Sequence, residues 1–581
     1  MAKALRGETR YARRTHSRQR LSRRRVSRKR WPQMSLQPQP VCPIPDDTAR
    51  VARAAFPRGN TYMRVRDVFD GLYTDEVFAP LFPSRGQPAE APWRLALVTV
   101  MQFAEGLSDR QAAEAVRGRI DWKYALSLPL EDPGFDASVL SEFRTRLVAG
   151  GAEELLLDTL LTACRAHGVL KPRGRQRTDS THVLAAIRVL NRLECVGETL
   201  RHALNALAVT APDWLRGWVP PLWLDRYARP FAEYRLPPGR DERYALAETI
   251  GADGFAVLTA VWAPDAPDGL RVLPTVETLR QVWVQQFYAP AETVRWRCAE
   301  DLPPSSLLIC TPYDPDARYG KKRETEWTGY KVHLTETCDD DSPALITNVE
   351  TTTAPTSDYD MMETIHAHVA QRDLLPREHI VDTGYMTADH LVASQTDYAV
   401  DLVGPVPADS SWQAQAQHGF ETACFHLDWE ARQATCPQGC TSRYWMERQD
   451  RHGHPVVQIT FVPADCLACP VRVHCTHSAT QPRFLMVRAQ SSYEALQDAR
   501  RRQTTPAFKQ QYAARAGIEG TISQGVRAGD LRHARYVGLA KTHLQHVLTA
   551  AGLNVLRLGA WYAETPRAPT RRSPFVALAA A

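Results

Sequence analysis

Runs suited to extended structure recur along this chain at long, uneven intervals, and no other feature restricts its fold more. Gln176–Leu184 carries Thr178, Thr181 and Val183, residues that favour a pleated backbone. Glu326–Thr337 is rich in Thr, Val and aromatic residues, Ala344–Thr353 is similar, and His379–Val381 is a short apolar run closed by Thr383-Gly384. A further strand is expected near residue 400. Helical patterns fill the intervals: residues 186–300 with Pro-rich breaks at 219–221 and 237–238, then 359–373, then Ala388–Ser394 capped by Thr387. Ser491–Arg515 and Gly538–Tyr562 are long helical patterns nearer the C-terminus. Strands separated by helices predict an α/β chain with a mixed-sheet core that carries large insertions.

An all-α N-terminal domain is expected ahead of that core, over residues 64–170. Trp93–Ala104 reads as an apolar helix ending at Gly106, and Ser108 with Asp109 caps Arg110–Arg117 before Gly118. Apolar helix, Gly-containing turn and short capped helix with Arg110, Arg117 and Arg119 form the outline of a helix-turn-helix. Any small helical bundle gives the same outline. Residues 34–63 read as a Pro-rich leader, 171–564 as the core domain interrupted at 186–300 and 421–480, and 565–581 as a disordered Pro/Arg tail.

The chain has 581 residues, 44% hydrophobic and 23% charged. That is globular composition and excludes a wholly disordered chain. No uncharged apolar run approaches the ~20 residues of a membrane helix, and the N-terminus lacks the apolar stretch of a secretory signal. A cytoplasmic protein without membrane partners is expected. The net charge of +6 comes from one segment, since residues 1–33 hold 13 Lys/Arg against Glu8 alone. The remainder has 58 basic and 64 acidic residues. The basic segment reads either as a disordered arm for phosphate backbones or as an over-extended start. The second is expected, with translation beginning at Met34, which opens an unremarkable polar, Pro-rich leader.

Three carboxylates stand out. Asp179 lies inside a strand, where Asp is depleted, so it faces solvent or does chemistry. Asp382 ends the strand His379-Ile380-Val381, and side chains at the C-terminal ends of strands converge on clefts. It is also a natural turn residue. Glu519 follows Phe508, Tyr512 and Arg515 at spacings of four, three and four, which puts the four on one helix face. That stripe is either a surface Arg–Glu pair or a helix presenting Glu519 to the two Asp residues. Phosphoryl transfer on DNA requires two divalent cations about 4 Å apart, and Mg²⁺ binds through a few carboxylates plus water and phosphate. Lys331 and His333 alternate on one strand beside Trp327 and Tyr330, a pattern that can stack a base and hold a phosphate; an ordinary strand with one wet face explains it nearly as well. His182, three residues from Asp179, should face the other side of the strand.

These residues resemble a known family, the DDE-type bacterial insertion-sequence transposases, in the branch with a cysteine-rich insert. Thr178-Asp179-Ser180-Thr181-His182 resembles the stretch around its first acid and Val381-Asp382-Thr383-Gly384-Tyr385 that around its second. Tyr512, Arg515 and Glu519 are similar to its third motif, Tyr-x₂-Arg-x₃-Glu, and Trp327–His333 to the strand between the first two acids. Residues 64–147, Gly517–Gly525 and Leu539–Leu558 also look like family segments, so the likeness runs from about residue 60 to 560. One departure stands at position 526, where the related signature often has Lys: here it is Val526, with Arg527 beside it. The resemblance implies a ribonuclease H-like catalytic core and catalytic, metal-binding Asp179, Asp382 and Glu519. It implies dependence on Mg²⁺ or Mn²⁺, and cleavage and joining at inverted terminal repeats without a covalent protein–DNA intermediate. Tyr512, Arg515, Arg527, Lys331, Arg110 and Arg117 are the expected DNA contacts. The partners are double-stranded DNA at transposon ends and target, and a homodimer or larger synaptic assembly, located with the nucleoid. The alternatives are a metal-dependent nuclease that does not join and a non-catalytic zinc-containing DNA-binding protein.

Five of the twelve cysteines fall between residues 436 and 475. Cys466-x₂-Cys469-x₅-Cys475 holds a zinc-knuckle-like turn, and Cys436-Pro437-Gln438-Gly439-Cys440 supplies a partner arm. Four thiolates bind Zn²⁺ tetrahedrally, so a structural zinc is expected. The resemblance selects Cys436, Cys466, Cys469 and Cys475, leaving Cys440 spare and His474 and His477 as possible replacements.

Overall fold

The structure is a computed structural model, and it describes residues 34–289, 293–416, 418–451 and 453–566. The basic segment 1–33 and nearly all of the C-terminal tail lie outside the described residues.

The core is a six-stranded mixed sheet. Its strands are β1 (Arg175–Leu184), β2 (Arg318–Lys322), β3 (Thr325–Thr337), β4 (Ile346–Thr353), β5 (Glu378–Val381) and β6 (Asp401–Val403). The order is β6-β5-β1-β3-β2, with β4 continuing along the edge of β3 beyond β2. β1 runs antiparallel to β3 and parallel to β5, and β5 runs parallel to β6. Five of these strands lie where side-chain pattern places them. β2 does not announce itself, because Arg-Tyr-Gly-Lys-Lys has neither alternation nor β-branched residues. A two-residue turn, with Arg323 at φ 56°, folds it onto β3.

The N-terminal region is helical. Helix α1 (Pro92–Ala104) is buried on nearly every side, and α2 (Asp109–Gly118) starts at a capping box between Ser108 and Gln111. These helices do not form a separate body. One continuous core joins Trp93, Leu97 and Phe103 to Tyr330, Val332, Leu334 and Val349 of the sheet. The C-terminal helix Leu539–Tyr562 makes that junction, with Leu544, Val547, Leu548 and Leu558 in the same core. Its Gly552 lies so close to α1 that a Cβ there would stand 2.7 Å from the Ala104 nitrogen.

The insert after β1 is helical as its pattern predicts, with α3 (Arg192–Thr210), α4 (Arg240–Trp262) and α5 (Pro274–Gln286) around a core of their own. By length and composition α4 could cross a membrane. Here Ala247, Ile250, Val257 and Val261 lie in the insert core, and Asp253 in its middle pairs with Arg226 and Tyr227. The cysteine-bearing segment adds a small antiparallel sheet of β7 (Ser442–Gln449), β8 (Pro455–Phe461) and β9 (Phe484–Arg488).

The helical pattern over Ser491–Arg515, with the stripe that carries it on to Glu519, is cut into three pieces: α6 (Gln490–Gln503), α7 (Pro506–Ala513) and α8 (Ala516–Gly529). Pro506 cannot continue the first helix, and Thr505 caps the second. At the second break the Arg177 guanidinium, from β1, takes the Ala514 carbonyl. It lies where a side chain on Gly517 would go, since a Cβ there would stand 2.0 Å from Arg177 Nη1. Phe508, Tyr512, Arg515 and Glu519 therefore do not share one helix, and Arg515 sits at the junction before α8.

Candidate active site

Register places the first two acids together. Thr178 of β1 pairs with Val381 of the parallel β5, so Asp179 and Asp382 follow side by side at the next position. Asp179 is nearly enclosed, and its Oδ1 accepts the Ser180 amide at 2.8 Å. Asp382 leaves the strand half-exposed, with Oδ1 accepting the Thr383 amide at 2.6 Å. The break between α7 and α8 delivers the third acid. Arg515 Nη2 donates to Asp179 Oδ2 at 2.6 Å and stands 3.9 Å from Asp382 Oδ2, while Nη1 donates to Glu519 Oε1 at 2.9 Å. Residues 336 positions apart in sequence thus meet on one guanidinium.

Burial pushes the Asp179 carboxyl upward, Arg515 pulls it back, and the neighbouring Asp382 adds to the upward push. Burial likewise raises the Tyr512 phenol, which lies in the field of Arg515 and of all three acids. The Tyr512 ring stacks on Phe508 with centroids 5.7 Å apart and planes 7° from parallel. Among the described residues no three His, Cys, Asp or Glu side chains are grouped so as to hold a metal ion. In the acidic centre it is the Arg515 guanidinium that stands among the carboxylates.

A fourth acid, absent from the sequence reading, adjoins the centre. Asp358 is buried; its Oδ1 accepts Ser180 Oγ at 2.9 Å and Lys331 Nζ at 3.1 Å, and its Oδ2 accepts Lys322 Nζ at 3.1 Å. Burial alone would raise this carboxyl, but Lys331 and Lys322 hold it down at about 2. In the sequence it precedes Tyr359-Asp360 at the start of a helical pattern and reads as a capping acid. Lys331, expected to touch phosphate, is enclosed by this pair and by the Thr356 carbonyl at 2.6 Å. That corrects its expected role, because a buried, ion-paired ammonium does not reach a strand outside. His182 lies opposite Lys331 in the register and Asp179 opposite Leu334, so the two do face opposite sides.

The remaining expected DNA contacts are dispersed. Arg527 is exposed and donates to the Ser523 carbonyl of its own helix, and Val526 packs partly into the core. Arg110 and Arg117 lie on the exposed face of α2, where Arg117 pairs with Glu114 at 2.8 Å. The turn between α1 and α2 docks on the helix that carries Glu519. Gly106 there has φ 67°, and a Cβ on it would stand 2.6 Å from the Ala528 carbonyl oxygen.

All five clustered cysteines line one cavity with Phe425, Phe461 and Arg483. Burial raises the Cys475 thiol to about 11, against the pull of Arg483. Burial and the adjacent Cys436 thiol raise Cys440. His474 and His477 do not line the cavity, and the His477 ring stacks on Trp412.

No curated protein and no solved structure matches the chain. Residues 50–146 match the family model described as Transposase domain (DUF772). Residues 435–559, which hold the cysteine run, Tyr512, Arg515 and Glu519, match the one described as Transposase DDE domain; Asp179 and Asp382 lie upstream of it. With transposase domains matched at both ends of one chain, the findings support a DDE-type transposase.

Proposed function

We propose that this chain cuts DNA at inverted terminal repeats and joins the freed 3′-hydroxyl ends to target DNA, on a ribonuclease H-like core. The observation that carries the reading is the meeting of Asp179, Asp382 and Glu519 around Arg515. The sheet supports the core assignment. A long antiparallel β3 separates β1 from the edge strands, parallel β5 and β6 lie on the other side, and α8 packs on β1 to deliver Glu519.

The donor set fits a hard divalent cation, since Asp179, Asp382 and Glu519 offer carboxylate oxygens only. These three would hold Mg²⁺ or Mn²⁺, which when bound activates the attacking hydroxyl and stabilises the leaving oxygen. The protein's own groups prepare that chemistry. Arg515 offsets part of the upward push that burial gives the Asp179 carboxyl and balances the charge of three close carboxylates. Tyr512, stacked on Phe508, lies beside the centre in the field of Arg515 and the three acids. Double-stranded DNA is the substrate in this reading, and holding two ends at once calls for a dimer or larger assembly. The cysteine cavity is soft-donor chemistry that suits a structural Zn²⁺ on Cys436, Cys466, Cys469 and Cys475.

Alanine at Asp179, Asp382 or Glu519 tests the reading. Mg²⁺-dependent nicking of a duplex end should vanish while end binding persists, and full nicking by Asp382→Ala overturns the assignment. Strand transfer from pre-cleaved ends separates a transposase from a nuclease that does not join.

A further inference from the structure

Three carboxylates repel a polyanion, so DNA approaching Asp179 needs a cation at the mouth of the centre. Arg515, Lys331 and Lys322 lie among these acids and their neighbours. Arg515 is engaged by the acids themselves. Lys331 is 8% exposed and held by Asp358 and Thr356. Lys322 differs: its side chain is 52% exposed, and its ion pair is with Asp358. It ends β2 beside the hairpin turn, between exposed Lys321 and Arg323. Its charge acts on Asp179, favouring the ionised carboxylate.

Asp358 fixes where that ammonium stands. It is tied to Ser180, the residue after Asp179, at 2.9 Å. It also lies under the turn that follows Asp382, where a Cβ on Gly384 would come 3.2 Å from its Oδ2. One buried carboxylate is therefore braced against the segments of both aspartates and holds two ammonium groups, an inner one for charge balance and an outer one facing solvent. We propose that Lys322 contacts the phosphodiester backbone of DNA bound at the acidic centre and that Asp358 is its positioning residue. Arg527 does not compete for this place, as its guanidinium lies back on its own helix.

The inference rests on the reading of the centre as a DNA-cleaving site, and its test separates the two. Duplexes made from the DNA flanking the gene are the probe, with wild type, Lys322→Ala, Lys322→Arg and Asp358→Asn compared. Salt dependence of binding and single-turnover Mg²⁺-dependent cleavage are measured. Lys322→Ala should lower the slope of log K against log[salt] by about one contact and slow cleavage by about tenfold or more, the change that about 1.4 kcal/mol produces. Lys322→Arg should restore most of both, which a purely structural lysine would not predict. Asp358→Asn should slow cleavage in protein that still binds ends. Wild-type slope and cleavage in Lys322→Ala overturn the proposal. If wild type binds ends and does not cleave, the catalytic reading falls, and the Lys322→Ala slope alone then decides for or against the phosphate contact.

Discussion

Removing Glu336 tests how the sheet holds the helix that brings Glu519 to the centre. Glu336 is fully enclosed on β3 and accepts Arg177 at 2.6 Å, Arg557 at 2.8 Å and Thr521 of α8 at 2.6 Å. In Glu336→Ala, two guanidiniums only 13% and 16% exposed lose their counter-ion. Breaking a buried pair from one side costs about 3–5 kcal/mol. Arg177 keeps the Ala514 carbonyl, and Arg557 keeps the Ala344 carbonyl, Thr521 Oγ1 and Gln524 Oε1. The expected loss is therefore toward the lower end, about 3–4 kcal/mol. Glu336→Gln keeps the shape and an acceptor oxygen but not the charge, and should cost about 2 kcal/mol. Because the chain has several cores, a single unfolding midpoint does not isolate this clamp. Hydrogen exchange of amides 514–525 does, and cleavage is followed in parallel. The triple change Arg177→Met, Glu336→Met, Arg557→Met should recover most of the stability, as apolar replacement of buried ion networks does. It should leave cleavage impaired, since nothing then fixes the Ala514 carbonyl next to Arg515. A Glu336→Ala protein whose 514–525 amides exchange like wild type would refute the clamp.

Two further outcomes follow from buried groups. Burial holds His333 at about 3 and His366 at about 4, so both are neutral in the fold and take up a proton only on unfolding. Their folded values lie below the unfolded value near 6.5, so stability is full above about pH 6.5 and falls as pH drops toward 4, by roughly 2 kcal/mol per histidine at pH 5. Urea midpoints at pH 7 and pH 5 measure this, and equal midpoints would count against it. Elemental analysis should find about one zinc per chain, retained in Cys440→Ser and lost in Cys469→Ser. Natively folded, metal-free wild type would remove the zinc assignment.

What could be read from the residues alone was whatever depends on near neighbours in sequence. Asp179 inside a β-favouring run and Asp382 at the end of one are local anomalies, and both strands form where the pattern puts them. Ser108 with Asp109 is a local capping signal, and Ser108 does cap the helix, where the structure adds a box with Gln111. The continuous helix drawn through Phe508 and Glu519 failed for a non-local reason. An arginine 337 residues upstream takes the Ala514 carbonyl and fills the space over Gly517. Spacing cannot show that, although the small residue at 517 is its trace.

The same distinction explains why the acids were legible and their supporting charges were not. A carboxylate in a strand is improbable on propensity, so it is noticed without knowing its partners. Asp358 before a helix is probable on propensity, and Lys331 on an alternating strand looks like an ordinary wet-face lysine. Each becomes unusual only through the other: a buried carboxylate with one enclosed and one half-exposed ammonium. Burying one member without the rest would leave an uncompensated charge at a cost of several kcal/mol. The cluster therefore has to form together, from β1, β2, β3 and the loop before residue 359. Exchanging Lys331 for methionine alone should destabilise the centre more than exchanging Lys322, because only Lys331 supplies Asp358 with an enclosed ammonium, where water cannot replace it.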